Sequence, residues 1–198
     1  MGQQTIDGEA IAASLSDPRA FGVIFERHFG EIHGYLRRRL DRQLADELAS
    51  QTFLVAFDGR ARFDRRRADA RPWLFGIATN LTRNHRRREI RELRAMAELA
   101  PEAVIGIEGV EARVDAERRR GALARGLADL PAEEADVLLL LVWGELDQAE
   151  IGEALGVPVG TVKSRLSRAR GRLRASLDGT LDGGESTNPT AGGARWTT

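Results

Sequence analysis

The residues of this chain that could do chemistry are arginines, and they are gathered in two blocks. Of the 198 residues, 30 are basic and 30 are acidic, and every basic residue except Lys163 is an arginine. Residues 19–95 hold eighteen basic against ten acidic side chains, and residues 159–178 hold six against one. Blocks of this size indicate two separate contacts with a polyanion, although solvated arginine-rich helix faces would give the same composition.

An acidic segment lies between the two basic blocks. Residues 96–158 carry fourteen acidic and five basic side chains, so the formal net charge of zero conceals alternating signs along the chain. A polyanion that attracts the flanking blocks would repel this segment. We therefore expect two binding modules, separated by a part of the chain that stays away from the ligand.

Enzymatic and metal chemistry find no support in the sequence. The chain has no cysteine, which excludes disulfides, thiolate metal sites and cysteine nucleophiles. It has no glycine-rich phosphate loop and no Ser/His/Asp pattern, and His28, His33 and His85 lack the spacing of metal ligands. We therefore expect no catalytic residue, no metal and no cofactor.

The sequence also lacks the signatures of a membrane protein. Its longest apolar run, residues 137–143, has seven residues, whereas a spanning helix needs about twenty. The first residues do not show the basic-then-apolar order of a signal peptide. We expect no membrane insertion and a cytoplasmic location.

The apolar pattern predicts helices, because spacings of three and four recur and no alternating strand pattern occurs. In the first half, Asp17-Pro18 starts a helix over about 18–40, and a second helix covers about 43–58. A basic loop at 60–71 precedes a third helix, from 72 to about 88. The residues expected to face the core are Phe21, Phe25, Ile32, Tyr35, Leu36 and Leu40 in the first helix, and Leu44, Leu48, Phe53 and Val55 in the second.

Two helices near the C-terminus form the pattern of a DNA-binding helix-turn-helix. Asp147 is expected to cap a helix over 148–155, and Gly156 to end it in the left-handed conformation that glycine tolerates. A longer helix follows, from 158 to about 177. Its apolar stripe faces the core and its opposite face is polar, although a solvated amphipathic helix would share this pattern. The stripe consists of Val162, Leu166, Ala169 and Leu173.

Three stretches of the chain resemble the sigma-70 family, specifically its small extracytoplasmic-function type. Residues 130–173 read LPAEEADVLLLLVWGELDQAEIGEALGVPVGTVKSRLSRARGRL, which resembles region 4 of that family. Residues 45–57, ADELASQTFLVAF, and residues 71–88, RPWLFGIATNLTRNHRRR, resemble region 2 in the family's order.

The resemblance implies an all-α fold of two small helical domains joined by an acidic flexible linker. In this division the chain has an N-terminal extension at 1–17, region 2 at 18–95, the linker at 96–121, region 4 at 122–178 and a disordered tail at 179–198. The linker would either mimic RNA electrostatically in the polymerase channel or act as a plain solvated tether.

The resemblance also implies a function. Such a factor binds bacterial RNA polymerase core and directs promoter recognition, DNA melting and transcription initiation, and is not itself an enzyme. The implied partners are the clamp helices of the β′ subunit, the flap of the β subunit and promoter DNA. An anti-sigma factor is a further partner that the family implies, although nothing in the chain names one. The split charge predicts weak promoter binding by the free chain, until polymerase fixes the spacing of its two basic faces.

Candidate site residues follow from the same resemblance. Asn80 would hold a base extruded from the minus-ten element, with Phe63 and Arg65 beside it, and the phosphate contacts would come from Arg83, Arg86, Arg87 and Arg88. The minus-thirty-five element would be read by Thr161, Lys163, Ser164, Ser167 and Arg168. Polymerase core would be bound by Asp46, Glu47, Ser50 and Gln51.

Two departures from the family pattern and one competing class stay open at this point. Many members carry Gln-Glu or Gln-Asp where this chain has Ser50-Gln51, and many have Asp where it has Asn84. The competing class is a dimeric helix-turn-helix regulator that is not a sigma subunit. That regulator would bind a palindromic duplex as a dimer and would not bind polymerase core.

Overall fold

Every regular element in the described part of the chain is a helix. The computed structural model describes residues 6–99, 126–127 and 129–182, and no strand occurs among them. This confirms the all-α prediction. None of the helices in these ranges combines the length and apolar character needed to cross a membrane.

Four α-helices form the first half. They are α1 (Asp7–Ser14), α2 (Gly22–Arg37), α3 (Arg42–Gly59) and α4 (Arg71–Leu99), with 3₁₀ turns at Pro18–Phe21 and Arg60–Arg62. Asp17 begins a helical segment as predicted, since its carboxylate accepts from the N–H of Arg19 at 3.1 Å. That segment is the first 3₁₀ turn, however, and α2 starts only after it. The helix α1 lies inside the predicted N-terminal extension, where no helix was expected.

The core of the first half lies where α2, α3 and α4 meet. Tyr35 is buried, its ring meets Phe75 edge-on at 5.2 Å, and its hydroxyl lies 3.1 Å from that of Thr79. Two residues predicted to face inward do not. Phe25 and Val55 are 43% and 41% exposed, because the buried stripes of their helices run through neighbouring positions. On each helix, two neighbouring rows of apolar residues both have spacings of three and four. The sequence does not say which row faces the core, and only the packing of the helices decides it.

The second half contains α5 (Ala132–Val142), α6 (Gln148–Leu155) and α7 (Val159–Asp182). The predicted cap is confirmed: the Asp147 carboxylate accepts from the N–H groups of Ala149 and Glu150, and Glu150 accepts from the Asp147 N–H at 2.7 Å. Gly156 has a φ of 66°, so the predicted left-handed turn between α6 and α7 is also confirmed.

The two halves pack directly on each other through α4 and α6. At Gly76 of α4, a Cβ atom would collide with the carbonyl oxygen of Ala154 of α6 and would lie 3.3 Å from its Cα. Only glycine permits so close an approach between these helices. The buried apolar residues of both halves form one continuous cluster.

The predicted linker and tail fall mostly outside the described residues. Of the linker at 96–121, residues 96–99 belong to α4, which therefore extends beyond the predicted end near 88. Of the tail at 179–198, residues 179–182 belong to α7. The remainder of both segments lies outside the description.

Candidate nucleic-acid interface

A cavity of about 390 Å³ lies between α4 and the loop that precedes it. Phe63 is buried at the start of the loop, with its ring centroid 4.9 Å from that of Trp73 on α4. Trp73, Ile77 and Asn80 share one face of α4 at helical spacing and line the cavity with Phe63. Asn80 is exposed. The site therefore presents an amide beside aromatic rings, which can hydrogen-bond the edge of a base and stack on its face.

The loop at 63–70 is held in shape by its own hydrogen bonds. Asp64 accepts from the N–H of Arg66 at 3.2 Å and from its guanidinium at 2.9 Å. The side-chain and backbone hydrogen bonds from Arg66 lower the pKa of Asp64 to about 2. The side chains of Arg65 and Arg66 are exposed. The cations that line the cavity are Arg62 and Arg67, whereas Arg65, predicted to lie beside Asn80, is not among the lining residues.

The second half of the molecule forms part of the wall of this cavity. Glu153 and Ala154 of α6 complete its wall, and Glu153 forms an ion pair with Arg67 of the loop. Nearby, the guanidinium of Arg71 donates to the carbonyl oxygen of Gly144 at 3.0 Å. In this arrangement the cavity is narrowed by a helix from the other half.

Arg83, expected to contact phosphate, is bound to a carboxylate instead. Asp136 of α5 is buried and forms ion pairs with Arg83 of α4 and with Arg39, the latter at 2.7 Å. Nη2 of Arg83 is buried and finds no hydrogen-bond partner among the described residues. Further along α4, Arg86, Arg87 and Arg88 are exposed. One of the four arginines expected to contact phosphate is therefore covered, and three lie on the surface.

The recognition helix α7 presents most of its predicted residues to solvent. Lys163, Ser164, Ser167 and Arg168 are exposed and Thr161 is half-buried, while Val162, Leu166 and Ala169 are buried as predicted. A groove against Gln148 at the start of α6 is lined by Lys163, Ser167, Arg170 and Arg174. The last two were not among the predicted residues. Positions 163, 167, 170 and 174 are three or four residues apart, so helical spacing could have predicted that Arg170 and Arg174 lie on the same face as Lys163 and Ser167.

The other edge of α7 is paired with α5. Nε of Arg168 lies 3.1 Å from Oε1 of Glu134, and Nε of Arg172 lies 3.1 Å from Oε2 of the same carboxylate. Arg165 pairs with Glu133. Glu134 is buried, whereas the Arg168 side chain is 57% exposed. Arg168 therefore has a structural partner in addition to its predicted role at DNA.

The predicted polymerase-binding residues share an exposed face of α3. Asp46, Glu47, Ser50 and Gln51 are all exposed. Asp46 lies 2.6 Å from Nε2 of His33, and this hydrogen bond is the main reason that the pKa of Asp46 is lowered. The same face continues into exposed apolar residues, Leu54 at 60% and Val55 at 41%. Sequence reasoning missed this apolar part because it assigned Val55 to the core.

Comparisons with known proteins match both parts of the chain to one family. Residues 24–92 match the family model for sigma-70 region 2, and residues 120–173 match the one for sigma-70 region 4. The chain is 32% identical to the ECF RNA polymerase sigma factor SigW of Bacillus subtilis, over 81% of this chain and 90% of that protein. It is 33% identical to the ECF RNA polymerase sigma factor SigM of Mycobacterium tuberculosis, over 90% of this chain and 87% of that protein.

A solved structure shares the fold over most of the chain. The structure of CnrH in complex with the cytosolic domain of CnrY is 26% identical to this chain, with a TM-score of 0.62. The similarity covers 87% of this chain and 97% of that one.

Proposed function

Because the chain belongs to the sigma-70 family of RNA polymerase sigma factors, in its extracytoplasmic-function branch, we propose that it binds bacterial RNA polymerase core and directs promoter recognition, melting and initiation. Members of this family are initiation factors rather than catalysts. One observation carries the proposal: a cavity lined by an amide and aromatic rings in a sigma-70 region 2 and a helix-turn-helix in a region 4 occur on one chain, in the family's order. A dimeric regulator is not favoured, since its first half would not match region 2.

The minus-ten element is the proposed ligand of the α4 cavity. Extruding a base from duplex DNA costs a few kilocalories per mole. Hydrogen bonding and stacking in the pocket must offset this cost. Asn80 supplies the amide, and the rings of Phe63 and Trp73 form the apolar wall. Arg65, exposed on the loop before α4, is proposed to contact the same strand outside the cavity. Arg83, Arg86, Arg87 and Arg88 lead from the cavity along α4, where they would follow the phosphates of the captured strand.

The minus-thirty-five element is the proposed ligand of α7. Lys163, Ser164, Ser167 and Arg168 lie on its exposed surface, with Thr161 at its first turn. Small hydroxyl side chains let the helix enter a major groove, and the flanking cations reach phosphates or a guanine edge. Arg170 and Arg174, which line the same groove as Lys163 and Ser167, extend the cationic surface by a further two turns.

Polymerase core is the proposed partner of the exposed α3 face. Asp46, Glu47, Ser50 and Gln51 provide its polar part, and the exposed Leu54 and Val55 give it an apolar end. A mixed surface of this kind suits the clamp helices of the β′ subunit, while the second half would engage the flap of the β subunit. A protein partner is proposed as well: the resemblance implies an anti-sigma factor, and the related CnrH was solved in complex with the cytosolic domain of CnrY.

The free chain is proposed to bind promoter DNA weakly, because its two halves are closed on each other. Asp136 pairs with Arg83, and Glu153 and Ala154 of α6 narrow the cavity that Asn80 lines. The two halves must separate before a strand can enter. Binding to polymerase core would supply the free energy for this separation, and would set the distance between the two DNA-binding faces.

The test measures core binding and DNA binding separately. The purified chain is titrated with polymerase core, and the complex is assayed for transcription from promoters mapped by start sites after overexpression. We expect a one-to-one complex that initiates at those promoters. Failure to bind core, together with dimeric binding to a palindromic duplex, would refute the proposal.

A further inference from the structure

The helix α1 lies directly against the loop at 63–70, although the matched region 2 begins only at residue 24. The N–H of Asp7 donates to the carbonyl oxygen of Ala68 at 3.1 Å. In the other direction, the N–H of Ala70 donates to Oδ2 of Asp7 at 2.9 Å. Two reciprocal hydrogen bonds therefore fix the end of the loop just before α4 begins.

The middle of the loop packs against Gly8, where there is no room for a side chain. A Cβ atom at this position would collide with the carbonyl oxygen of Arg65 and would lie 2.6 Å from that of Arg67. Both neighbours are backbone atoms, which cannot rotate aside as a flexible side chain can. Gly8 thus sets how closely the loop approaches α1.

Asp7 is itself held in place from α2. Its carboxylate is buried, forms an ion pair with Arg27 and is hydrogen-bonded to Nε2 of His28 at 2.6 Å. Asp69 also approaches, with ligand atoms of Asp7, His28 and Asp69 all within 4.8 Å of one another. The guanidinium of Arg27 already supplies positive charge to this cluster, so we assign it to positioning and not to cation binding.

From these contacts we propose that Asp7 and Gly8 are positioning residues for the reading of the minus-ten element. They act through the loop: Gly8 fixes the carbonyl groups of Arg65 and Arg67, and Asp7 fixes Ala68 and Ala70. The opposite side of the loop carries Phe63 and the mouth of the cavity. The position of α1 therefore sets the position of the loop relative to Asn80.

The inference rests on the proposed role of this cavity in capturing a base. A captured base tolerates little displacement of its pocket, since an error of about 1 Å in a positioned group can cost a hundredfold in rate. A loop that has shifted away from α1 would still leave the α3 face unchanged. The defect expected from altering α1 is therefore lost discrimination at the minus-ten element with intact binding to polymerase core.

Gly8→Ala is the direct test, and Gly30→Ala is its matched control. Both glycines lie in helices, but a Cβ atom at Gly30 would meet nothing within 4 Å. Each full-length variant is assembled with polymerase core. Strand opening is followed by permanganate reactivity on a matched promoter and on promoters with single changes in the minus-ten element. For Gly8→Ala we expect opening to fall at least about tenfold, and the ratio between matched and altered promoters to shrink.

Asp7→Asn provides a second variant, should Gly8→Ala fail to fold. It keeps the shape of the side chain and the backbone hydrogen bond to Ala68, but it removes the charge that pairs with Arg27. We therefore expect a smaller loss of discrimination than for Gly8→Ala. The proposal is wrong if both α1 variants discriminate like Gly30→Ala, or if core affinity falls in step with opening. If the unaltered protein itself shows no dependence on the minus-ten sequence, it is the proposed function of the cavity that fails.

Discussion

Asp136 of α5 forms an ion pair with Arg83 of α4, so a buried carboxylate of one half occupies an arginine that the other half was expected to offer to DNA. Arg39 binds the other oxygen of the same carboxylate at 2.7 Å. Nη2 of Arg83 is left without a hydrogen-bond partner among the described residues. A DNA phosphate can accept hydrogen bonds from two nitrogens of the Arg83 guanidinium, including Nη2. This favours replacement of the Asp136 carboxylate by a phosphate.

Asp136→Asn is expected to raise the affinity of the free chain for promoter DNA. The substitution keeps the size of the side chain but removes the charge that holds Arg39 and Arg83. A loss of about 1.4 kcal/mol from the closed arrangement shifts its equilibrium tenfold. Fluorescence transfer between labels on the two halves reports opening, and DNA binding is measured without polymerase.

The control for this experiment is Glu133→Gln, on the same helix. Glu133 is exposed and pairs with Arg165 within the second half, so its loss should not separate the halves. Equal DNA affinity for Asp136→Asn and the unaltered chain would show that the ion pair does not limit binding.

Gly76→Ala is expected to open the molecule by a different route. The added methyl group would collide with the backbone of Ala154, to which its three nearest atoms all belong. Within α4 the change favours the helix by up to about 1 kcal/mol. We therefore expect weaker contact between the halves, measured by the same fluorescence transfer. An unchanged distance between the labels would contradict the close packing of α4 on α6.

Asn80→Ala is expected to impair promoter opening while leaving core binding intact. The side chain is exposed at the rim of the α4 cavity, so its removal costs the base a hydrogen-bonding partner without disturbing the core. Permanganate reactivity measures opening, and competition with a labelled sigma factor measures core binding. Gln51→Ala, on the α3 face, should show weakened core binding instead. A common loss of both properties in both variants would refute the assignment of separate faces.

Arg168→Ala is expected to relax recognition of the minus-thirty-five element at the base that it contacts. The substitution also removes a partner of the buried Glu134, so stability must be separated from DNA reading. Arg172→Ala makes this possible, because Arg172 pairs with the same carboxylate at the same 3.1 Å distance. Loss of a base contact changes specificity at one position, whereas loss of a phosphate contact weakens binding uniformly. Footprints on altered promoters distinguish the two, and identical footprints for both variants would remove Arg168 from the reading surface.

The contribution of Asp7 to stability is expected to vanish only in acid. Burial opposes ionisation of this carboxyl, but hydrogen bonds from His28 and from the N–H of Ala70 outweigh it and lower its pKa below the usual 3.8. A group of this kind stabilises the fold above its unfolded-state pKa, and the stabilisation is lost as the pH falls through its folded-state pKa. Urea unfolding of the unaltered chain and of Asp7→Asn should therefore differ at neutral pH and converge below about pH 3.8. Convergence already between about pH 7 and pH 5 would contradict this origin.

Local features of this protein were predictable because their causes are local. Asp147 caps α6 and Gly156 ends it through contacts with residues a few positions away. The stripe of Val162, Leu166 and Ala169 is buried because helical spacing alone places these residues on one face. Val55 shows where this reasoning stops. Its spacing fits the core as well as that of its neighbours, and only the packing of α3 leaves it exposed.

The role that we propose for α1 could not be predicted from the sequence either. Asp7 and Gly8 belong to no pattern in the sequence, and their contacts are with Ala68, Ala70 and the carbonyl groups of the loop. These groups are about sixty positions away along the chain. Backbone carbonyls carry no residue signature, so a glycine required by a distant backbone looks like any other glycine.

The sequence by itself determined that two basic helical modules flank an acidic segment, since charge and helical periodicity are sums over neighbouring residues. Only the tertiary structure decided which charges meet. The acidic segment provides Asp136 for Arg83, Glu153 for Arg67 and Glu134 for Arg168. The ion pairs form because α5 and α6 lie against α4 and α7, and their strength depends on distance and burial, which no count of charges contains. The formal net charge of zero thus includes opposite charges that form ion pairs with one another in the described part of the chain.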